Sequence, residues 1–565
     1  MGALPGCILR VDGAPAERHT SSCLFERGWI MRFSAFRNRA AAALVAAGLA
    51  AALAGPAQAV TPKDTLVQAW QIDDIISLDP AELFEFSTSE IAGNTYERLI
   101  GYDLQDVSKI FGVVAESWTV SDDGKTIAFK IREGRKFASG NPITAEDVAF
   151  SLQRAVLLDK SPAFILNQFG ITKDNVKDAI KATGEYTVDF TMDRPYAPSF
   201  ALYALTSSVA SIVDKKLVLE HEADGDLGYG WLKTHYAGSG PFAIRDWRAN
   251  EVVVLERNPN YSGTPAPLAR VIYRHLPEQA TQRILLEKGD IDIARNLGPE
   301  DIDAVAKNSE IRIQSSPKGT LYYLGLNQKN PILAKPEVRQ ALKYLVDYGA
   351  IGDTIMNHLG AVHQAFLPKG FLGAVNDTPF TFDPEKAKAL LAKAGYPDGF
   401  TVTMDVRSTQ PVTGIAEAIQ ANFAKGGVKV EIIPGDGKQT LTKYRSRTHD
   451  IYIGDWGADY QDPHSNAQTF ASNPNNADNA TAKTLAWRNA WETPKLGPEV
   501  EAAILERDPA KRAALYEAMQ REVIETGPFV ILFQRTEVAA LRNNVKDFVM
   551  GPSFDNNLVT GASKE

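Results

Sequence analysis

"VVAESWTVSDDGKTIAFKIREGRKFASGNPITAEDVAFSLQR", Val113 to Arg154, reads as a strand pair followed by a helix. Thr126 to Ile131 alternates, with Ile127, Phe129 and Ile131 on one face, and Asp123-Gly124 supplies the turn before it. Thr144-Ala145-Glu146-Asp147 has the form of a helix start with Thr144 as the cap. The pattern outward from this stretch is mixed α and β, without a fixed-period repeat or a low-complexity linker. Val338, Ala341, Leu342, Leu345 and Val346 recur with helical spacing just after Pro336. A second helix covers Pro384 to Ala394 and stops before Gly395-Tyr396-Pro397. Asp450 to Ile453 alternates as a strand, with Ile451 and Ile453 facing the core.

The start of the chain carries an address. From Met31 a basic stretch (Arg32, Arg37, Arg39) precedes an alanine-rich apolar run and the small-x-small end Ala57-Gln58-Ala59. This is the pattern of a secretory signal, residues 31 to 59, cleaved after Ala59. The alternative is an uncleaved anchor, since the run could just span a bilayer of ~30 Å. Its poverty in Leu and Ile and its Gly55-Pro56 break favour cleavage. Residues 1 to 30 lie upstream of a plausible initiator and read as a misassigned start. Both cysteines, Cys7 and Cys23, fall there, so the mature chain offers neither disulfide nor thiolate chemistry. Losing the first 59 residues removes six basic and three acidic side chains and moves the net charge from -9 to -12. An acidic chain without a basic block argues against nucleic acid or an anionic membrane as partner. The expectation is a soluble periplasmic product with two or three domains.

Motifs for enzymes are missing: there is no G-x-S-x-G elbow, Walker A loop or H-E-x-x-H helix. The richest local chemistry is "GDWGADYQDP", Gly454 to Pro463, which sets three aspartates and a tryptophan in one glycine-broken turn. Such carboxylates could hydrolyse a bond, hold a metal or bind a cation. A glycosidase would need Asp459 and Asp462 as its pair. Asp462 directly precedes Pro463, however, and Asp at a helix cap with Pro next is a common helix start. For metal, His464 beside the carboxylates is the tempting ligand, yet a lone histidine makes a poor site, and a surface or capping role is expected. The turn leaves a strand's carboxyl end, where open α/β sheets bind ligands. Gly454 and Gly457 let backbone approach a ligand, and Trp456 offers a flat apolar wall. Asp459 is either a solvated loop carboxylate or a charge that must be paired when covered.

The wording and order of several segments resemble the family 5 solute-binding proteins of ABC importers, the dipeptide-, oligopeptide- and nickel-binding receptors. The resemblance rests on Val113 to Arg154, on "GSGPFAIRDWRANEVVVLERNPNYSG" (Gly238 to Gly263) and on "GDIDIA" (Gly289 to Ala294). It continues at "LNQKNPILAKPEVRQALKYLVD" (Leu326 to Asp347) and in the aspartate-rich turn. It implies an α/β, type II periplasmic-binding fold: two α/β lobes, an extra subdomain, and a ligand cleft between the lobes. Lobe I would combine residues 60–100, 237–315 and 528–565; the extra subdomain would be 101–236, and lobe II 316–527.

The resemblance also implies a role for the turn. In peptide-binding relatives the aspartate of the W-x-A-D-Y pattern pairs with the peptide's α-ammonium, and the matching residue is Asp459. Residues matching Asp455 to Gly457, with Trp456 among them, offer backbone bonds or an apolar wall. Nickel-binding relatives use a histidine further downstream, and "SNPNNADN" (Ser472 to Asn479) has none to match it. The expected protein is a monomeric receptor for short peptides that delivers them to an inner-membrane ABC permease, with no cofactor, no metal and no catalysis. The alternatives are a receptor for another amine-bearing solute (an opine or amino-sugar), one for a metal chelate, and, in a different class, a secreted hydrolase using Asp459.

Overall fold

The computed structural model describes residues 61–480 and 483–565. The upstream stretch, the expected signal, its cleavage point and both cysteines lie outside the described residues. Among the described residues no helix is long and apolar enough to cross a membrane.

Strand β1 (Thr65–Trp70) is buried along its whole length, and helix α1 (Phe86–Thr95) follows it. The stretch from Val113 folds as its pattern dictates. Strands β2 (Ala115–Val120) and β3 (Thr126–Ile131) pair antiparallel around Gly124, whose φ is +71°. Ile127, Phe129 and Ile131 are buried together, each contributing roughly 1.5–3 kcal/mol of transfer free energy. Helix α2 (Ala145–Leu158) starts after Thr144, whose N–H and hydroxyl donate to the Asp147 carboxylate at 2.9 and 2.8 Å. Strands β4 (Ile180–Gly184) and β5 (Thr187–Thr191) complete a four-stranded sheet in the order β2-β3-β5-β4.

Six short strands form three separate two-stranded sheets, and the others join β1 in one large sheet. They are β6 (Phe242–Arg248), β7 (Val252–Arg257), β8 (Arg270–His275), β9 (Ile293–Ala294) and β10 (Ile311–Leu326). Helix α3 (Pro336–Tyr344) begins at Pro336 itself and buries Val338, Ala341 and Leu342. After β11 (Gly360–Val362), helix α4 (Pro384–Lys393) ends at Ala394, and Gly395 turns out of it at φ +91°. Then come β12 (Phe400–Arg407), α5 (Val412–Lys425), β13 (Val428–Gly435) and β14 (Ile451–Gly457). Helices α6 (His464–Ala471) and α7 (Pro509–Thr526) precede β15 (Phe529–Arg542).

Their order is β13-β12-β14-β10-β15-β9-β1-β8-β7-β6, with β11 attached to β15. The sheet therefore has two wings, β13-β12-β14 and β9-β1-β8-β7-β6. Strands β10 and β15 run antiparallel between them over 16 and 14 residues. Their ladder shifts register twice, between Tyr322 and Tyr323 and, more widely, where Pro317 opposes Thr536 and the next pair is Leu321 with Gln534. Pro317 has no N–H to give, so the wider break falls where the sequence removes a donor. The joint between the wings lies here.

Candidate functional site

The aspartate-rich segment sits beside this joint, and its shape differs from the expected turn. Gly454 to Gly457 is still strand: Thr320 pairs with Gly457, Leu321 with Trp456 and Tyr322 with Asp455. The ladder to β10 supplies the backbone bonds that hold two glycines in extended form, so tertiary pairing overrides their local preference. The true turn begins at Ala458, whose N–H donates to Gly319 O at 3.0 Å.

Asp455 and Gly457 thus share one face of β14 and Trp456 takes the other. Trp456 packs half-buried against the cluster holding Leu321, Phe366 and Phe371, with its indole N–H buried and without an acceptor. Gly457 meets the other wing's segment: a Cβ built on it would lie 2.9 Å from Phe86 Cε1 and 3.4 Å from Thr320 Oγ1. Phe86 in turn packs on Phe554, ring centroids 4.9 Å apart. Asp455 makes no hydrogen bond or ion pair through its side chain among the described residues; it lies within electrostatic reach of Arg535 on β15.

Asp459 and Asp462, three positions apart, are treated differently. Asp462 is buried and bound: Arg512 Nη1 and Nη2 donate to its two carboxylate oxygens at 2.6 and 2.7 Å, and His464 N–H donates to Oδ1 at 2.9 Å. Pro463 is already helical at φ −57° and ψ −22°, so Asp462, accepting the N–H two positions on, caps the entry to α6 as expected, and a buried ion pair is added to that role. His464 is no surface residue either. It is 1% exposed, edge-on to Phe200 at 4.9 Å, and burial pushes its pKa down to about 3.

Asp459 is half-buried, and no cation bonds it among the described residues. Its N–H donates to Ser465 Oγ at 2.9 Å, and that hydroxyl lies 3.4 Å from Asp459 Oδ2. Burial pushes its carboxyl up to about 7, against the opposing pull of the Ser465 hydroxyl and the field of Arg488. Arg488 itself stands over the Tyr444 ring, 5.5 Å from its centroid, with Nε buried and unpartnered. Tyr444 stacks on Tyr452 at 4.0 Å. The next residue of the loop, Tyr460, leaves the region altogether. Its ring joins the core of the four-stranded sheet's unit, and its hydroxyl donates to Gln168 Oε1 at 3.2 Å.

The arrangement is poor for hydrolysis, because the second carboxylate is committed to Arg512. Among the described residues no group of three or more His, Cys, Asp or Glu side chains is placed to hold a metal ion. What the segment offers is a half-buried carboxylate that no cation bonds among the described residues. Phe86, Arg488 and Arg535 complete the surroundings. Nothing in their spacing or local sequence announces them, since they come from α1, a short helix (Leu485–Arg488) and β15.

A sheet shared by two wings through paired crossing strands, with an uncompensated charge beside the crossing, is the plan of a two-lobed solute-binding protein. Residues 109–478 match the family described as bacterial extracellular solute-binding proteins, family 5 Middle, and the chain belongs to that family. It is 29% identical over 504 residues to the probable D,D-dipeptide-binding periplasmic protein DdpA of Escherichia coli (strain K12), covering 88% of this chain and 94% of the relative. It is 26% identical over 518 residues to the glutathione-binding protein GsiB of Escherichia coli (strain K12), covering 90% and 96%.

Among solved structures, it is similar to the ABC transporter-associated periplasmic binding protein DppA from Helicobacter pylori in complex with peptide STSA. The TM-score is 0.78 at 26% identity, over 89% of this chain and 98% of that one. It is also similar to AgaA from A. tumefaciens R10 in complex with agropinic acid, at TM-score 0.74 and 26% identity, over 89% and 99%. The fold is the type II periplasmic-binding architecture that these proteins share.

Proposed function

We propose that this chain is the exported receptor of an ABC importer, that it captures short peptides by their free α-ammonium, and that it hands them to a membrane permease without cleaving them. The observation that carries the reading is Asp459: a half-buried carboxylate, its pKa raised to about 7 by that burial, with a serine hydroxyl and no cation against it among the described residues. Leaving a charge in that state is costly unless a partner arrives, and an ammonium is the partner whose arrival ionises it. The relatives that carry peptide, D,D-dipeptide or glutathione in their names support the peptide class. The agropinic-acid-binding neighbour keeps an opine as the second reading.

In this reading Gly457, Trp456 and Asp455 line the strand side of the cleft. Lobe I comprises residues 60–100, 237–315 and 528–565, lobe II residues 316–527, and residues 101–236 are the extra subdomain. The protein works in the periplasm as a monomer after cleavage behind Ala59. Ligand draws the lobes together about the joint at Pro317, and the closed shape is what the permease recognises.

The test is calorimetry with free-amine and N-acetylated peptides, followed by mass spectrometry of the recovered ligand. Free-amine peptide bound tightly and recovered intact supports the reading. Cleaved peptide overturns the receptor, and binding of opines alone moves the second reading to first place.

A further inference from the structure

Ser465 meets Asp459 twice through one atom. Its Oγ accepts the Asp459 N–H at 2.9 Å and lies 3.4 Å from Asp459 Oδ2. A serine hydroxyl has one proton and two lone pairs. The backbone N–H takes a lone pair, so the proton is left over, and Oδ2 is the acceptor it meets among the described residues. The other carboxylate oxygen, Oδ1, accepts from no donor among the described residues.

Ser465 is placed firmly enough to discriminate between the two oxygens. It is 2% exposed, it stands in the first turn of α6, and its own N–H donates to Asp462 O at 3.2 Å. Asp462 is in turn closed off by Arg512. Residues 459 to 465 thus form a loop that returns on itself, with the serine as its clasp. Few groups act on the Asp459 carboxyl. Burial raises it to about 7, the Ser465 hydroxyl pulls against that burial, and the field of Arg488, which makes no bond to it, pulls less. Tyr460, next in the chain, turns its hydroxyl to Gln168.

Resting on the peptide reading above, we infer that Ser465 is the positioning residue of the ammonium site: its hydroxyl holds Oδ2 of the ionised carboxylate and leaves Oδ1 for the ligand. A separation of 3.4 Å is long for an O–H···O bond. The charge-assisted form shortens to about 2.5–2.7 Å. When an arriving ammonium ionises Asp459, the carboxyl proton leaves to solvent and the serine bond tightens. The clasp therefore draws the loop onto α6 only when the site is filled, and it sets the pH at which the receptor becomes competent.

The experiment measures the affinity of the full mature protein for dialanine and trialanine by calorimetry between pH 6 and pH 9. Without the hydroxyl the carboxyl should ionise about one pH unit higher, the lower end expected for a lost bond to a charged group. Ser465→Ala should then bind about tenfold more weakly than the wild type at pH 6, with the deficit shrinking toward pH 9, where both carboxyls are ionised. Ser465→Thr keeps the hydroxyl and should return the wild-type profile. A deficit equal at every pH, or one that threonine does not narrow, overturns the assignment and leaves the ammonium reading intact. A crystal structure of the wild type with either peptide at pH 8 needs no variant to fold. Ser465 Oγ should stand within ~2.8 Å of Oδ2, with the ammonium on Oδ1. A hydroxyl turned away, or an ammonium on Oδ2, also overturns it. A wild type that binds neither peptide sinks the peptide reading, and this assignment with it.

Discussion

Arg512 holds Asp462 by both carboxylate oxygens, at 2.6 and 2.7 Å, with both side chains almost wholly buried. The same guanidinium donates to Ala503 O at 2.9 Å and to Tyr516 Oη at 3.1 Å. The pair fixes α7 to the start of α6 and so sets the exit of the loop that carries Asp459. Asp462→Asn would keep the contact to His464 N–H but strand the guanidinium. Losing one partner of a buried pair costs about 3–5 kcal/mol. Chemical denaturation should show that loss, and calorimetry should show weaker ligand binding in proportion to the loop's disorder. An unchanged denaturation midpoint would refute the structural role.

Asp459→Asn should act the other way round. Binding of free-amine peptides should fall by roughly two to three and a half decades, taking 3–5 kcal/mol for the stranded ammonium and ~1.4 kcal/mol per decade. N-acetylated peptides should bind the wild type poorly and lose far less on the substitution. Ligand-free stability should improve at pH 8. A carboxyl whose folded pKa is raised from 3.8 to about 7 favours the fold while protonated, and that contribution is lost as pH rises through about 7. Asparagine has no charge to bury, so its melting temperature at pH 8 should exceed that of the wild type, by a margin that shrinks as pH falls from about 7 and closes near pH 3, below the unfolded value of 3.8.

The same raised pKa predicts proton release. Near pH 6 most Asp459 is protonated in the free protein, and an arriving ammonium must drive the proton off. Calorimetry at pH 6 in buffers of different ionisation enthalpy should report close to one proton released per peptide bound, declining toward pH 8. Affinity should rise with pH up to about 7. Identical heats in all buffers would show that Asp459 is already ionised in the free site.

Gly457 and Phe86 offer a test of closure. With Phe86 Cε1 only 2.9 Å from a Cβ at Gly457, a valine there would wedge the two wings apart. Gly457→Val should weaken binding and enlarge the radius of gyration of the ligand-bound form in X-ray scattering. Phe86→Ala in the same chain should restore both, because the clash is with a side chain and not with backbone. Failure of the double variant to recover would place the fault in β14 itself.

Much of this architecture is legible in the sequence alone. The face of Ile127, Phe129 and Ile131, the start of α2 after Thr144 and the stop of α4 before Gly395 each rest on a local rule that tertiary structure did not disturb. The aspartate-rich segment was legible as a site but not as a shape. Glycines at 454 and 457 signal a turn locally, and only the ladder to Thr320–Leu326, more than a hundred residues upstream, keeps them extended. Asp462 is legible only in part, for a related reason. Its cap geometry is local and visible, whereas its partner Arg512 is fifty positions away on another helix. Arg488, Arg535 and Phe86 are residues whose meaning lies in having no partner, or one across the cleft, and no pattern in one dimension records that.

Tyr460 has a further consequence. Its backbone belongs to the loop of Asp459, yet its ring is packed beside Phe200 at 6.1 Å and its hydroxyl reaches Gln168. The loop is therefore anchored at one end in the large sheet and at the other in the hydrophobic core of the four-stranded sheet. Exchanging the segment that carries Gln168 and Phe200 between two such receptors would carry that anchor with it. Substitutions at Gln168 or Phe200 would retune affinity from a distance, by changing how firmly the loop is moored rather than what it touches.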